Sequence, residues 1–523
     1  MNKFKKYSYM LGLAIAALTI SACEDQSEEV LSIEYSRYFA PINLEARVLN
    51  LTDIRLSWTP SQGATSYNVE VYANDSLTFE GTPVVSLTGI TAEQLPYTIE
   101  DLEGDTKTSI RVQAVGEDAA KTSTWSTVYV KTDPEQFFNA VTDDDIESTE
   151  VTLRWPAGIN VTHITITPAL ESGSHQLTAD EIANGVATIT GLTPETDYTF
   201  RLKNGEKTCG TQNVTSGLNL EGKTVVEAGA DLVSLLDNST EGEIFVLPEG
   251  EFNIADYELD NSVTLISYKP SRKAIINGRI KLGEGVQNLT VSRVIMDGTA
   301  SDGGQAFEYA DAVTYGTLTI EDSEIRNYTK GFYYVNKAAT IEGITINNCL
   351  IHDIVCDGGD MFDCRAGYIK TINLTNSTIW NSCAGRDFIR YDDKSGDFPD
   401  ATPVILVDHC TIDGVSNSSS RRLFYIRFKG NKVTFTNNIV SNTEPGRGFT
   451  DSSNTDPETV FSNNNYFNTK NLVSNDGLAE GKDLLFDTEG YTLDPGYANA
   501  AEGDFTLSHE DLIYYQVGDP RWY

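Results

Sequence analysis

Apolar and polar residues alternate through the second half of the chain in an eight-residue phrase that returns at near-constant intervals. Copies read LTIEDSEI at 318–325, ITINNCLI at 344–351, INLTNSTI at 372–379, ILVDHCTI at 405–412, VTFTNNIV at 433–440 and VFSNNNYF at 460–467. Their starting points step by 26, 28, 33, 28 and 27 residues, and a weaker copy, LTVSRVIM at 289–296, lies 29 residues upstream. Within each copy, alternation predicts a strand, and the polar pair dominated by Asn predicts a bend. Resumed alternation, as at Cys349 and Ile351 or Ser377 and Ile379, predicts a second strand. Such a period marks a stacked solenoid, because one rung cannot bury its apolar face alone and stacking closes a continuous core. A parallel β-helix is the expectation, with function on its outer faces and loops.

The first half alternates differently. IRLSW at 54–58, YNVEVY at 67–72, YTIEDL at 97–102, SIRVQAV at 109–115 and STVYV at 126–130 are short period-two strands between turn residues, the pattern of a β-sandwich. Trp58, the Tyr67-Asn-Val-Glu-Val strand, Leu102 and Thr124-Trp125-Ser126 resemble the fibronectin type III family over about 90 residues. A second copy follows, with VTLRW at 151–155, ITITP at 164–168 and ATITGLTPETDYTFRLKNG at 187–205. Its GLTPETDYTFRL is similar to the type III phrase around a corner Tyr, here Tyr198, whose ring should pack while its hydroxyl finds a backbone partner. Neither copy concentrates aromatics or charges in its loops, so both read as a stalk.

Between Leu218 and about Gly285 lies the entry to the solenoid. Leu232, Leu235 and Leu236 form a helix-like apolar stretch before a strand and a Pro-Glu-Gly turn, which resembles the N-terminal cap of pectate-lyase-like β-helices. A cap is needed because the first rung would otherwise expose its apolar cross-section. Leu493-Asp-Pro-Gly, Gly503-Asp-Phe-Thr-Leu and Gly518-Asp-Pro-Arg-Trp resemble the terminal segment of Bacteroidota β-helix proteins. The fold expected is all-β: two fibronectin type III-like sandwiches at 40–133 and 134–217, then a parallel β-helix over 218–523. Its right hand is implied by the resemblance alone.

Lys3, Lys5 and Lys6 precede an apolar run from Met10 to Ile20, too short to span a bilayer and built like a secretion signal. Ile20-Ser21-Ala22-Cys23 resembles a bacterial lipobox, which makes 1–22 a lipoprotein signal peptide and Cys23 the lipidation site. The Glu-Asp-Gln-Ser-Glu-Glu that opens an acidic linker at 23–39 is similar to the export tag of Bacteroidota surface lipoproteins. The resemblance as a whole is to a Bacteroidota surface lipoprotein with fibronectin type III domains and a pectate-lyase-like parallel β-helix. It implies an outer-membrane, lipid-anchored, cell-surface location, with membrane lipid and an outer-membrane glycan transporter as partners. With 38 basic against 76 acidic residues, the formal charge of −38 disfavours nucleic acid and acidic membranes.

Cys349 and Cys410 fall at one phrase position two coils apart, too far for a bond, and read as small buried residues. A bond among Cys356, Cys364 and Cys383 stays open, and no spacing suggests zinc. Aligning MFDCRAG at 361–367, FIRYDDK at 388–394 and LFYIRFKG at 423–430 turns Phe362, Ile389 and Phe424 inward. Asp363, Arg390 and Tyr425 then form one outward column, and Arg365, Asp392 and Arg427 the next. From 361 to 432 there are ten Lys or Arg against eight Asp or Glu, a local reversal of sign. Arg suits a carboxylate or sulfate, and Tyr stacks on sugar faces.

Asp363, Arg365, Arg390, Asp392, Tyr425, Arg427 and Lys429 are therefore the candidate carbohydrate-binding residues, for a polysaccharide of acidic character. Loops 382–387, 393–403 and 413–422 should overhang them. An Arg-Asp-Arg ladder is equally the ordinary electrostatics of neighbouring strands. His409 falls in the bend column, where a structural hydrogen bond is the better expectation than catalysis. His352, Asp353, Asp357, Asp360 and Asp363 crowd together, so Ca²⁺ is the one candidate cofactor. Turn-loving Asp also explains them, and no metal site is assigned. Three functions follow: a lipid-anchored surface protein capturing a polysaccharide on the β-helix face, a polysaccharide lyase acting by β-elimination with unknown catalytic residues, and a structural or adhesive protein without a glycan site.

Overall fold

A computed structural model describes residues 37–118, 121–478 and 484–523. The signal peptide, Cys23 and most of the acidic linker lie outside the described residues. Two compact units are present. One holds the described chain up to Asn139 with Trp155–Gly185 and Thr199–Asn213, and the other holds Ala140–Arg154, Val186–Tyr198 and Val214–Tyr523.

In the first unit, the strands Ile42–Leu49, Asp53–Thr59 and Tyr97–Ile99 form one sheet. Val85–Ile90, Ser66–Ala73, Lys107–Val115 and Ser126–Lys131 form the other. Ile54, Leu56, Val69, Val71, Ile110 and Val112 alternate into the core between them, where Trp58 meets Tyr67 edge-on at 5.1 Å. Five of these seven strands are the segments read from the sequence; the other two, Ile42–Leu49 and Val85–Ile90, carry the same period-two alternation, with Leu44, Ala46, Val85 and Leu87 half-buried. Further along the chain are the strands Glu150–Arg154, His163–Thr167, Val186–Thr190 and Asp197–Asn204. Tyr198 is buried, and its hydroxyl accepts from the Thr193 amide at 2.9 Å.

The second unit contains the solenoid. Each phrase supplies two strands separated by its polar pair, for example Thr340–Asn347 and Leu350–His352. The first strands stack in a parallel sheet of ten, and the second strands stack in another with a third set, Phe307–Tyr309, Tyr333–Val335, Phe362–Cys364, Ile389–Tyr391 and Phe424–Ile426. Alternate residues of successive strands point into one core, including Ile320, Ile346, Leu374, Val407 and Phe435 from the first sheet.

The bend explains the Asn. Asp322, Asn348, Asn376, His409, Asn437 and Asn463 all take φ between 49° and 56°, the left-handed region that Asn and Asp tolerate better than other L-residues. The amides of the first five bind the next coil, as His409 N does to Thr436 O at 3.1 Å. Side chains bridge too: Asn348 donates to Asp322 at 2.6 Å and Asn463 to Asn437 at 2.7 Å. His409 is thus a bend residue, held by Asp408 at 2.8 Å. The residue after the bend turns inward with an amide that no strand pairs. Ser377 Oγ accepts it from Cys349 at 3.0 Å, Asn438 Oδ1 from Cys410 at 2.9 Å, and Asn464 Oδ1 from Asn438 at 2.9 Å. Cys349 and Cys410 are fully buried members of this ladder. Cys356, Cys364 and Cys383 are also buried and free, so the disulfide left open by the sequence is absent among them.

At the N-terminal end the helix Leu232–Asp237, capped by Asp231, buries Leu232 and Leu236 against the first coils. At the other end the final residues return along the outside of the second strands. Asp519 accepts from Thr378 at 2.7 Å, Trp522 Nε1 donates to Thr378 at 2.7 Å, and Arg521 binds Asn348 at 2.6 Å.

Candidate functional site

The site lies on the third set of strands. Asp363 pairs with Arg390, and Arg390 with Tyr425, while Phe362, Ile389 and Phe424 face the core. The column continues upstream through Tyr334 and Glu308. Arg365, Asp392 and Arg427 each follow their strand by one residue, giving the second column.

Side chains on this face form two layers. The floor is acidic: Asp360, Asp363 and Asp387 have no exposed surface. Arg390, Arg386 and Arg365 converge on Asp360 at 3.2, 3.1 and 3.6 Å, and Arg365 also holds Asp363 at 2.7 Å. Arg421 and Arg422 take Asp387 at 3.3 and 3.1 Å, and Arg422 reaches on to Asp451 at 2.6 Å, which Arg447 shares. Arg390 and Arg427 clamp Asp392 at 2.9 and 2.5 Å. Burial pushes the Asp363 and Asp387 carboxyls up, with Arg365 and Arg422 pulling back. At Asp392 burial is overcome by the hydrogen bonds from Arg390 and Arg427, which hold its carboxyl low.

The roof is cationic and partly open. Arg390 is 19 % exposed, Arg365 27 %, Arg427 34 % and Lys429 65 %, the last loosely paired with Asp393 at 3.4 Å. Arg427 Nε is buried and has no hydrogen-bond partner among the described residues. The Tyr425 ring lies 4.0 Å from the Arg422 guanidinium, 4.4 Å from Arg427 and 5.6 Å from Arg390, so it props the cations rather than offering a free face. Tyr334 does the same for Arg365 at 5.5 Å. Guanidinium groups outnumber carboxylates here: Arg365, Arg386, Arg390, Arg421, Arg422, Arg427 and Arg447 stand over Asp360, Asp363, Asp387, Asp392 and Asp451.

Sequence alignment of the strands brought together Asp363, Arg390, Tyr425, Arg365, Asp392 and Arg427, with Lys429 at their edge. It missed the roles of Asp360, Asp387, Asp451, Arg386, Arg421, Arg422 and Arg447, which stand on loops where no periodicity sets direction. Among the acidic residues proposed for Ca²⁺, Asp360 and Asp363 face guanidinium groups, and no set of three or more metal-ligating side chains converges among the described residues. His352 is the last residue of its strand. It bonds Asp353 at 2.6 Å and Glu324 at 3.2 Å and stacks on Trp380 at 4.2 Å.

Three family models match the chain. The fibronectin type III domain covers residues 39–129, a domain of unknown function (DUF4957) covers 250–382, and another domain of unknown function (DUF5123) covers 405–522. The candidate face spans both of the latter and the residues between them. No curated protein matches the chain. Similar solved structures include the two fibronectin type III domain segment from chicken tenascin, at 15 % identity, covering 34 % of this chain and 99 % of that one with a TM-score of 0.25. The central fibronectin-III array of RIM-binding protein is 20 % identical over 36 % of this chain and 63 % of that one, TM-score 0.14. The chicken CNTN1 FN1–FN3 domains are 15 % identical over 34 % and 65 %, TM-score 0.15. The chain is all-β, with a fibronectin type III domain followed by a parallel β-solenoid.

Proposed function

We propose that the protein is a surface-exposed, lipid-anchored glycan-binding protein whose solenoid presents the Arg face to an acidic polysaccharide. A fibronectin type III domain joined to a β-solenoid suggests a surface or adhesive protein, and the lipobox at Cys23 supports the anchor. The observation that carries the glycan reading is the layering of charge. In a chain of net charge −38, carboxylates are sunk beneath guanidinium groups that outnumber them, with the Arg427 and Lys429 side chains 34 % and 65 % exposed above them. A ligand carboxylate or sulfate would meet cations first and add charge-assisted hydrogen bonds to N–H groups already fixed in place. An outer-membrane glycan transporter is the partner such a capture role would use.

A specific observation favours the adhesive alternative. Every Arg on the face already has a carboxylate, which is what a ladder with no ligand would also require. The discriminating experiment is affinity-gel retardation of the purified protein on polygalacturonate, with absorbance of unsaturated products read in parallel. Retardation that is lost in Arg427→Ala with Lys429→Ala supports capture, rising absorbance supports a lyase, and no signal with any acidic glycan leaves the adhesive reading.

A further inference from the structure

Beside the Arg face the solenoid carries an open polar groove of about 860 Å³, lined by Asn417, Ser418, Ser419, Asn442, Glu444, Asn468 and Thr469. Its floor belongs to the column that closes the second strands. Asn442 and Asn468 sit in the left-handed region at φ 50°, and Asn468 donates to Asn442 at 3.2 Å. Asn442 in turn donates to Asp413 at 2.7 Å. One wall is the loop 416–420. Asn417 fixes it by donating to Asn442 O at 2.9 Å and accepting from the Glu444 amide at 2.6 Å. Gly446 packs so tightly against Ser419 that a Cβ there would lie 2.3 Å from its Cα. The groove is therefore held open by its own hydrogen bonds.

What it leaves unused is as telling. The hydroxyls of Ser418, Ser419 and Thr469 make no hydrogen bond among the described residues, and the Glu444 carboxylate has no cationic partner there. The lining offers amides, hydroxyls and one carboxylate, with no apolar or aromatic side chain. An apolar ligand would have nothing to bury against, whereas a hydroxyl-rich ring finds donors and acceptors on both walls. The unpaired Glu444 repels a uronate or sulfated sugar. Ser418 and Glu444 each stand three residues before a cation of the Arg face, Arg421 and Arg447, a span of at most about 10 Å along the chain.

We infer that this groove is a second subsite that takes a neutral, hydroxyl-rich sugar of the polysaccharide whose acidic residues meet the Arg face. The inference rests on the glycan reading of that face. It narrows the ligand to a chain in which neutral and acidic sugars occur together, the neutral ones recognised by hydrogen bonds and the acidic ones by charge.

The test uses the full chain and two kinds of probe, neutral glycans (galactan, arabinan, glucomannan) and polygalacturonate, on affinity gels. Ser419→Trp fills the groove from one wall, and Thr469→Trp from the other should the first variant fold poorly. The expected result is at least a tenfold loss of affinity for a neutral glycan in either variant, with polygalacturonate retardation unchanged and neutral-glycan affinity retained in Arg427→Ala. Retardation of wild type by polygalacturonate and by no neutral glycan overturns the groove and leaves the Arg face standing. Neutral-glycan binding unaffected by both Trp variants also overturns it. No retardation by any probe overturns the groove together with the glycan reading.

Discussion

Arg390 reaches from its own strand to Asp360 of the preceding coil at 3.2 Å, while its other nitrogens hold Asp392 at 2.9 Å. Asp360 has no exposed surface, and three guanidinium groups share it. Asp360→Asn would strand those charges without their central counter-ion. A loss of about 3–5 kcal/mol is expected, the usual cost of removing one partner of a buried pair. Urea unfolding of the variant against wild type measures it, and a loss under 1 kcal/mol would mean that the carboxylate is dispensable.

Arg422 and Arg427 should separate in their effects. Arg422 is 8 % exposed and spans Asp387 and Asp451, so Arg422→Ala is expected to lower stability by a similar 3–5 kcal/mol. Arg427 and Lys429 lie further out, and replacing both with Ala should leave the unfolding free energy within about 1 kcal/mol of wild type, as for partly exposed pairs. The same double variant should bind polygalacturonate at least tenfold more weakly. Binding by wild type should also weaken between 50 and 300 mM salt, because exposed charges are screened.

His352 gives the solenoid a pH-dependent contact. Burial works against its charge, yet the hydrogen bonds that its ring donates to Glu324 and Asp353 outweigh burial and raise its pKa above the ordinary histidine value of 6.5. Arg326 faces the same cluster, bonded to Glu324 at 2.6 Å and Asp297 at 2.8 Å. The folded protein then binds the His352 proton more tightly than the unfolded chain. The stabilisation is complete below pH 6.5 and fades as pH rises through the folded value. Glu324, held low first of all by its bond to His352, loses its own contribution as pH falls below about 4.5. The stability difference between wild type and His352→Asn should therefore be largest below pH 6.5 and shrink as pH rises above it. A difference independent of pH would show that His352 acts only through its stacking on Trp380.

The inward ladder makes a separate prediction. Asn438 is fully buried, accepts from Cys410 N, and donates to Val407 O at 3.0 Å. Asn438→Ala leaves a buried amide and carbonyl unpaired and should cost about 1–3 kcal/mol. Asn438→Ser should recover part of that, since Ser377 does the same work one coil pair earlier. Equal losses in both variants would point to volume rather than hydrogen bonding.

The sequence by itself determined the periodic part of this protein. Alternation at a fixed interval names the strands, and Asn at each interruption names the bend because few other L-residues occupy the left-handed region at little cost. The outward columns followed, since in a strand the direction of one side chain fixes that of its neighbours. Phe362, Ile389 and Phe424 thereby placed Asp363, Arg390 and Tyr425. Only the tertiary structure decided that Asp363 lies covered beneath Arg365, that Asp360 and Asp387 form the floor, and that Arg421, Arg422 and Arg447 complete the roof. These residues sit on loops of unequal length between strands. No period relates their number to their direction, and their partners are coils away in sequence but about 4.8 Å away in the stack. The groove beside them was invisible for the same reason: Ser419 and Asn468 are separated along the chain and meet only where successive coils lie side by side.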